Sequence, residues 1–219
     1  MKHQMGEFKI YSINNPLILS IDDIIPEELV DGLAQDIEEK CNFTKAKVAT
    51  TSGKPADDIK RTNETSSIHY MQSDGARVFL DAAASVLRLH PAQAEPLSVI
   101  KYQKGQQFEA HLDAFQDDKI QHYTPQAGNR VATAILYLND VLDGGETDFP
   151  KMGVCVPHKK GRCVFFSNTH MGTGAPLDLS THAGLPVIRG EKIAVNLWFR
   201  SGVYDNNMYQ KWLEKQNQV

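Results

Sequence analysis

Apolar residues recur along the chain with two different periods, and the change of period divides it. After the short apolar stretch "NPLILSIDDIIP", Ile25, Leu29, Leu33 and Ile37 recur every four residues, which predicts a helix from about Pro26 to Lys40. Pro26 suits the first turn, where a backbone N–H has no helical partner to lose. Val78, Phe79, Ala82, Ala83, Val86 and Leu87 form the apolar side of a second predicted helix, from about Asp74 to Leu89. Between the two, "TTSGKPADDIKRTNETSS" (51–68) has the Gly, Pro, Ser and Thr of a mobile loop.

From about Glu95 the apolar runs shorten. "LSVIKYQKG", "QFEAHLDAF", "RVATAILYLND", "VCVPHKKG", "RCVFFSN", "LSTHAG", "LPVIRG" and "KIAVNLWFRSG" read as strands with turn signals between them. This spacing predicts a sandwich or barrel. In "VLDGGETDFP" the paired glycines predict a tight turn with positive φ, structural rather than part of a site. The polar tail, "YDNNMYQKWLEKQNQV", predicts a short helix. The whole reads as one α+β domain over 1–219: helical support in 1–93, a β-rich functional half in 94–204, and a tail in 205–219.

Composition narrows the function classes. With 41% hydrophobic and 23% charged residues, the chain can bury a sizeable core. A net charge of -4 argues against broad nucleic-acid binding, which needs a basic face; Lys159, Lys160 and Arg162 form a candidate local basic patch. No apolar run approaches the ~20 residues of a membrane helix, and "MKHQMGEFKIYSINNP" lacks the apolar core of a signal peptide. Cys41, Cys155 and Cys163 have no metal-type spacing and are expected to be reduced, mostly buried thiols. A cytoplasmic protein without membrane or nucleic-acid partners is the expectation.

The candidate chemistry begins at "FEAHLDAF", where His111 and Asp113 stand two apart. With 8 His and 16 Asp in 219 residues, about 0.6 such pairs arise by chance, so a third ligand has to give the pair meaning. His122 lies in a polar loop, His158 in the turn "PHKKG", and His170 in the Gly- and Thr-rich "NTHMGTG"; Glu146 is a carboxylate alternative. His182 differs, lying on a short strand with Lys192 ten residues later. Two imidazoles and one carboxylate on one face of a metal leave the opposite positions open, as non-haem Fe(II) oxygenases require. Two apart on a strand, His111 and Asp113 would point to the same face. His182 would come from a distant strand across a barrel mouth, and Lys192 could hold the far carboxylate of a dicarboxylate co-substrate.

The stretches "SVIKYQKGQQFEAHLDAF", "NRVATAILYLNDVLDGGETDFPKMGVCVPHKKGRCVFF" and "STHAGLPVIRGEKIAVNLWFR" carry a resemblance. Over about residues 97–200 the chain resembles the catalytic half of the 2-oxoglutarate- and Fe(II)-dependent dioxygenases, and within them the prolyl 4-hydroxylases. The shared pattern is Tyr102, His111 and Asp113, the turn Gly144 to Thr147, His182, Lys192 and Trp198, with every spacing in agreement. "IKRTNETSS" is similar more loosely. The resemblance implies a double-stranded β-helix (jelly-roll) core with N-terminal helices packed against it. It implies that His111, Asp113 and His182 bind iron, and that Lys192 pairs with the C5 carboxylate of 2-oxoglutarate, helped by the hydroxyls of Tyr102 and Thr133. Arg61, Phe108 and Trp198 would face substrate, under a lid formed by the segment after Asp113. Phe108 stands where these hydroxylases usually carry tyrosine.

The implied reaction is C–H hydroxylation, at C4 of a peptidyl proline, using O2 and 2-oxoglutarate and releasing succinate and CO2, with ascorbate as reductant. A proline-containing peptide or protein would lie across the barrel mouth as an extended strand. Other readings stay open: the same chemistry on a free amino acid, a small metabolite or another residue type such as lysine; a non-catalytic oxygen or 2-oxoglutarate sensor; or a zinc hydrolase. The hydrolase would not need Lys192 and shows no evident general base.

Overall fold

The computed structural model describes residues 6–46, 48–49, 55–56, 61–116 and 126–216. Its strands are β1 (Phe8–Ser12), β2 (Ile18–Ile21), β3 (Thr44–Lys45), β4 (Val48–Ala49), β5 (Pro55–Ala56), β6 (Glu64–Ile68), β7 (Leu97–Tyr102), β8 (Phe108–His111), β9 (Arg130–Tyr137), β10 (Asp143–Gly144), β11 (Thr147–Phe149), β12 (Val154–Val156), β13 (Cys163–Ser167), β14 (His182–Gly184), β15 (Val187–Arg189) and β16 (Lys192–Arg200). The α-helices are α1 (Glu27–Lys40), α2 (Asp74–Leu87) and α3 (Asn206–Gln216).

Helix α1 follows Pro26 directly, with Glu27 and Glu28 in its first turn, where the helix dipole favours negative charge. It buries Val30, Leu33 and Ile37. Helix α2 opens at Ser73, whose hydroxyl accepts from the Ala76 N–H at 3.4 Å. It closes at Arg88, a non-glycine residue in the left-handed region. Its buried face is Ala76, Phe79, Leu80, Ala83 and Ala84, turned about one residue from the predicted stripe because apolar side chains occupy both shoulders. The two helices meet at Gly75, where an added Cβ would stand 2.4 Å from the Leu29 carbonyl oxygen.

Two antiparallel sheets make the jelly roll. The larger runs β1-β2-β13-β9-β16-β7-β6-β3 and the smaller β12-β11-β14-β8. Alternation along β16 explains why they stack. Val195, Leu197 and Phe199 face a core shared with α1 and α2, which includes Leu33, Ile37 and Phe79. Ala194 faces a second core between the sheets with Ile100, Ile135, Tyr137, Phe149 and Phe166. Lys192 and Asn196 share that inner side, at the cleft described below.

The N-terminal region supplies strands as well as helices. β1, β2, β3 and β6 all join the large sheet, and β6 lies within the predicted loop 51–68. Its residues Glu64–Ile68 are mostly polar, and backbone pairing with β7 holds them, a feature that periodicity does not register. The candidate basic patch is neutralised: Lys159 and Arg162 pair with Asp22, and Lys160 with Glu27 and Asp31. Cys163 is buried as expected, whereas Cys155 is exposed. No described helix is long and apolar enough to cross a membrane.

Candidate active site

Strands β8 and β14 pair antiparallel with His111 directly opposite His182. Opposed residues have Cβ atoms only about 5 Å apart, so the pairing itself brings the two imidazoles together. Their ring centroids are 4.4 Å apart. His182 thus comes from the neighbouring strand and not from across a barrel mouth. Nor does strand alternation deliver Asp113: β8 stops at His111, and a bend swings Asp113 round. Asp113 Oδ1 lies 3.6 Å from His111 Nε2, and Oδ2 lies 3.7 Å from His182 Nε2.

This donor set fits a divalent ion. The ligand atoms of His111, Asp113 and His182 lie within 4.8 Å of one another, the one such group of three among the described residues. Each ring uses Nδ1 on a backbone carbonyl, His111 on Glu109 at 2.8 Å and His182 on Ser180 at 3.1 Å. Donation from Nδ1 leaves Nε2 as the unprotonated ligand atom. Burial, then the His111 ring, push the His182 imidazole down to about 4, so it is neutral at ordinary pH. Burial alone would raise the Asp113 carboxyl, but His182, His111 and Arg130 hold it well below the usual carboxylate range.

At the other end of the same cleft stands Lys192, 2% exposed. Its cross-strand partner on β7 is Tyr102. The ammonium donates to the Gly145 carbonyl at 2.7 Å and lies 5.3 Å and 5.4 Å from the Tyr102 and Tyr137 ring centroids. Burial pushes Lys192 down to about 8, with Glu146 opposing, and pushes the Tyr102 phenol up to about 12. The turn around Gly144 and Gly145, with φ of 77° and 75°, gives more than a reversal of direction. It supplies the carbonyl that Lys192 binds and places Thr147 in the cleft, hydrogen-bonded to Tyr137 at 2.7 Å.

Thr133 departs from expectation. It lies opposite Trp198, six residues and roughly 20 Å along β16 from Lys192. Its hydroxyl donates to Asp113 Oδ2 at 2.7 Å. The β9–β16 register decides this, and the local sequence does not reveal it. Arg61 and Phe108 do come to the site: Phe108 stacks on the His111 ring at 3.6 Å, and the Arg61 guanidinium covers the other ring at 4.5 Å. Trp198 is half-buried under the Arg130 guanidinium, 3.6 Å from its ring centroid. Glu95 braces Arg130 at 2.7 Å and 2.9 Å and stands 2.6 Å from Arg200.

Among the other histidines, His122 lies outside the described residues. His170 is exposed. His158 stacks on Tyr137 at 4.1 Å, and burial pushes it down to about 3.

Comparison with known proteins agrees with this geometry. Residues 97–200 match the 2OG-Fe(II) oxygenase superfamily. Prolyl 4-hydroxylase 2 of Arabidopsis thaliana is 35% identical over 132 residues, covering 51% of this chain and 43% of that protein. The bovine (Bos taurus) prolyl 4-hydroxylase subunit alpha-1 is 42% identical over 113 residues, 50% of this chain and 21% of that protein. The chain therefore spans less than half the length of either relative. The crystal structure of a viral collagen prolyl hydroxylase from Paramecium bursaria Chlorella virus-1, a 2OG complex, superposes with a TM-score of 0.66 at 25% identity, covering 84% of this chain and 94% of that one. On this likeness and on the residues gathered in its cleft, residues 97–200 match the 2OG-Fe(II) oxygenase superfamily, and the relatives they resemble are prolyl 4-hydroxylases.

Proposed function

We propose that the protein is a dioxygenase that uses Fe(II), 2-oxoglutarate and O2 to hydroxylate C4 of a peptidyl proline. One observation carries the reading: a single cleft has a three-donor metal set at one end and a buried ammonium at the other. His111, Asp113 and His182 would hold the iron through one donor atom each. Bound there, iron supplies activation of O2 coupled to decarboxylation of 2-oxoglutarate to succinate and CO2.

The chain's own residues supply orientation. Lys192 makes a charge-assisted bond to the C5 carboxylate, and Tyr102 and Thr147 offer neutral hydroxyls beside it. Ile100 and Ile135 line the cleft and keep water from the reacting groups. Phe108, held between Arg61 and His111, serves as a wall. A proline-containing peptide lies along this rim as an extended strand. Ascorbate belongs to the same reading, as the reductant that keeps the iron divalent.

Incubation of proline-containing peptides with the protein, Fe(II) and 2-oxoglutarate, followed by fragment mass spectrometry, tests it. One added oxygen on proline is expected. The oxygen on another residue type, or turnover only of free amino acids, overturns the substrate.

A further inference from the structure

Behind the metal ligands lies a buried polar pair whose hydrogen bonds can run in only one direction. Asp113 is a carboxylate and can only accept, so the single hydroxyl proton of Thr133 points at Oδ2, 2.7 Å away. Thr133 Oγ1 then has only lone pairs left, and it takes a proton from Asn168 Nδ2 at 2.8 Å. Thr133 and Asn168 are both 0% exposed and Asp113 is 6% exposed, so water does not compete for these bonds. Asn168 is itself pinned through its backbone. Its N–H donates to the Val131 carbonyl and its own carbonyl accepts from the Leu177 N–H, each at 2.9 Å.

We infer that Asn168 and Thr133 form a one-way donor relay that positions Asp113 for the metal. The relay fixes the carboxylate plane, so that the two oxygens stay 3.6 Å and 3.7 Å from the imidazole Nε2 atoms. Without it, a carboxylate reaching out from a bend could rotate about its last torsion and lose one imidazole or the other. Both residues are positioning residues, acting through Asp113. Partners of this kind typically change metal affinity by about 10- to 100-fold when removed. The inference rests on the proposed metal centre and deepens it.

The test is titration of the EDTA-stripped full chain with Mn(II), followed by the free-ion electron paramagnetic resonance signal, without 2-oxoglutarate. Thr133→Val should weaken Mn(II) binding by about 10- to 100-fold. Thr133→Ser should stay within about threefold of the parent, since it keeps the donor. Asn168→Ala should lose no more than Thr133→Val, and the double variant should bind as Thr133→Val does, because a relay broken once has nothing further to lose. If the valine variant does not fold, Thr133→Ala set against Thr133→Ser makes the same comparison. Unchanged binding in Thr133→Val beside a parent that binds, or losses that add, overturns the relay alone. A parent that takes up no Mn(II) overturns the metal centre, and the relay with it.

Discussion

Replacing Lys192 with methionine probes the co-substrate end of the cleft by removing the ammonium beside Tyr102 and Tyr137 while keeping a side-chain stem of similar length. Burial holds the ammonium down to about 8 from 10.5. At ~1.4 kcal/mol per unit, that gap of about 2.5 units is roughly 3 kcal/mol set against the charged form. An incoming carboxylate relieves that penalty. Removing one member of a buried ion pair costs about 3–5 kcal/mol. The lower figure corresponds to roughly 100-fold in 2-oxoglutarate affinity.

The assay is anaerobic titration of the Fe(II)-loaded protein with 2-oxoglutarate, followed by visible charge-transfer absorption, beside a separate Mn(II) titration. Lys192→Met should lose about 100-fold in 2-oxoglutarate affinity and less than about threefold in Mn(II) affinity. Equal losses in both would make Lys192 a structural residue, and an unchanged 2-oxoglutarate affinity would refute its pairing with the co-substrate.

In the parent, 2-oxoglutarate affinity should decline as pH rises past about 8, where Lys192 loses its proton; the same titration on Lys192→Met should be flat over that range. For stability the sign is the one for a depressed base. The unfolded chain holds the extra proton between about 8 and 10.5, so this contribution grows as pH rises through that window and is lost as pH falls through about 8, readable by urea unfolding of the unliganded protein. Glu95→Gln leaves the Arg130 and Arg200 guanidiniums without their counter-charge and should lower unfolding stability by about 3 kcal/mol; a loss below about 0.5 kcal/mol would say that solvent already screens the cluster. Gly75→Ala, with its Cβ 2.4 Å from the Leu29 carbonyl, should cost about 1–3 kcal/mol in the same assay while leaving Mn(II) affinity unchanged.

The residues that chemistry demands at fixed spacing were legible in the sequence. His111, Asp113, His182, Lys192 and Tyr102 lie at one cleft, and helices α1 and α2 fall within about two residues of their predicted bounds. Contacts set by sheet register were not legible. Thr133 could be assigned to Lys192 or to Asp113 only once β9 was aligned with β16. His182 looked remote in sequence, but β14 pairs directly with β8. Thr147 and the Gly145 carbonyl were hidden in a segment that read as a plain turn. Glu95, Arg130 and Arg200 cluster from three separate places in the chain, and no local pattern joins them. β6 escaped because backbone pairing, and not an apolar face, holds it in the sheet.

The central claim, that one cleft couples O2, 2-oxoglutarate and a C–H bond, is tested most directly with isotopically labelled oxygen. Turnover of a proline-containing peptide under ¹⁸O2 should put one labelled atom on the proline and the other into succinate, in equal amounts. Label absent from both products, or a peptide oxygen drawn from water, would contradict the account.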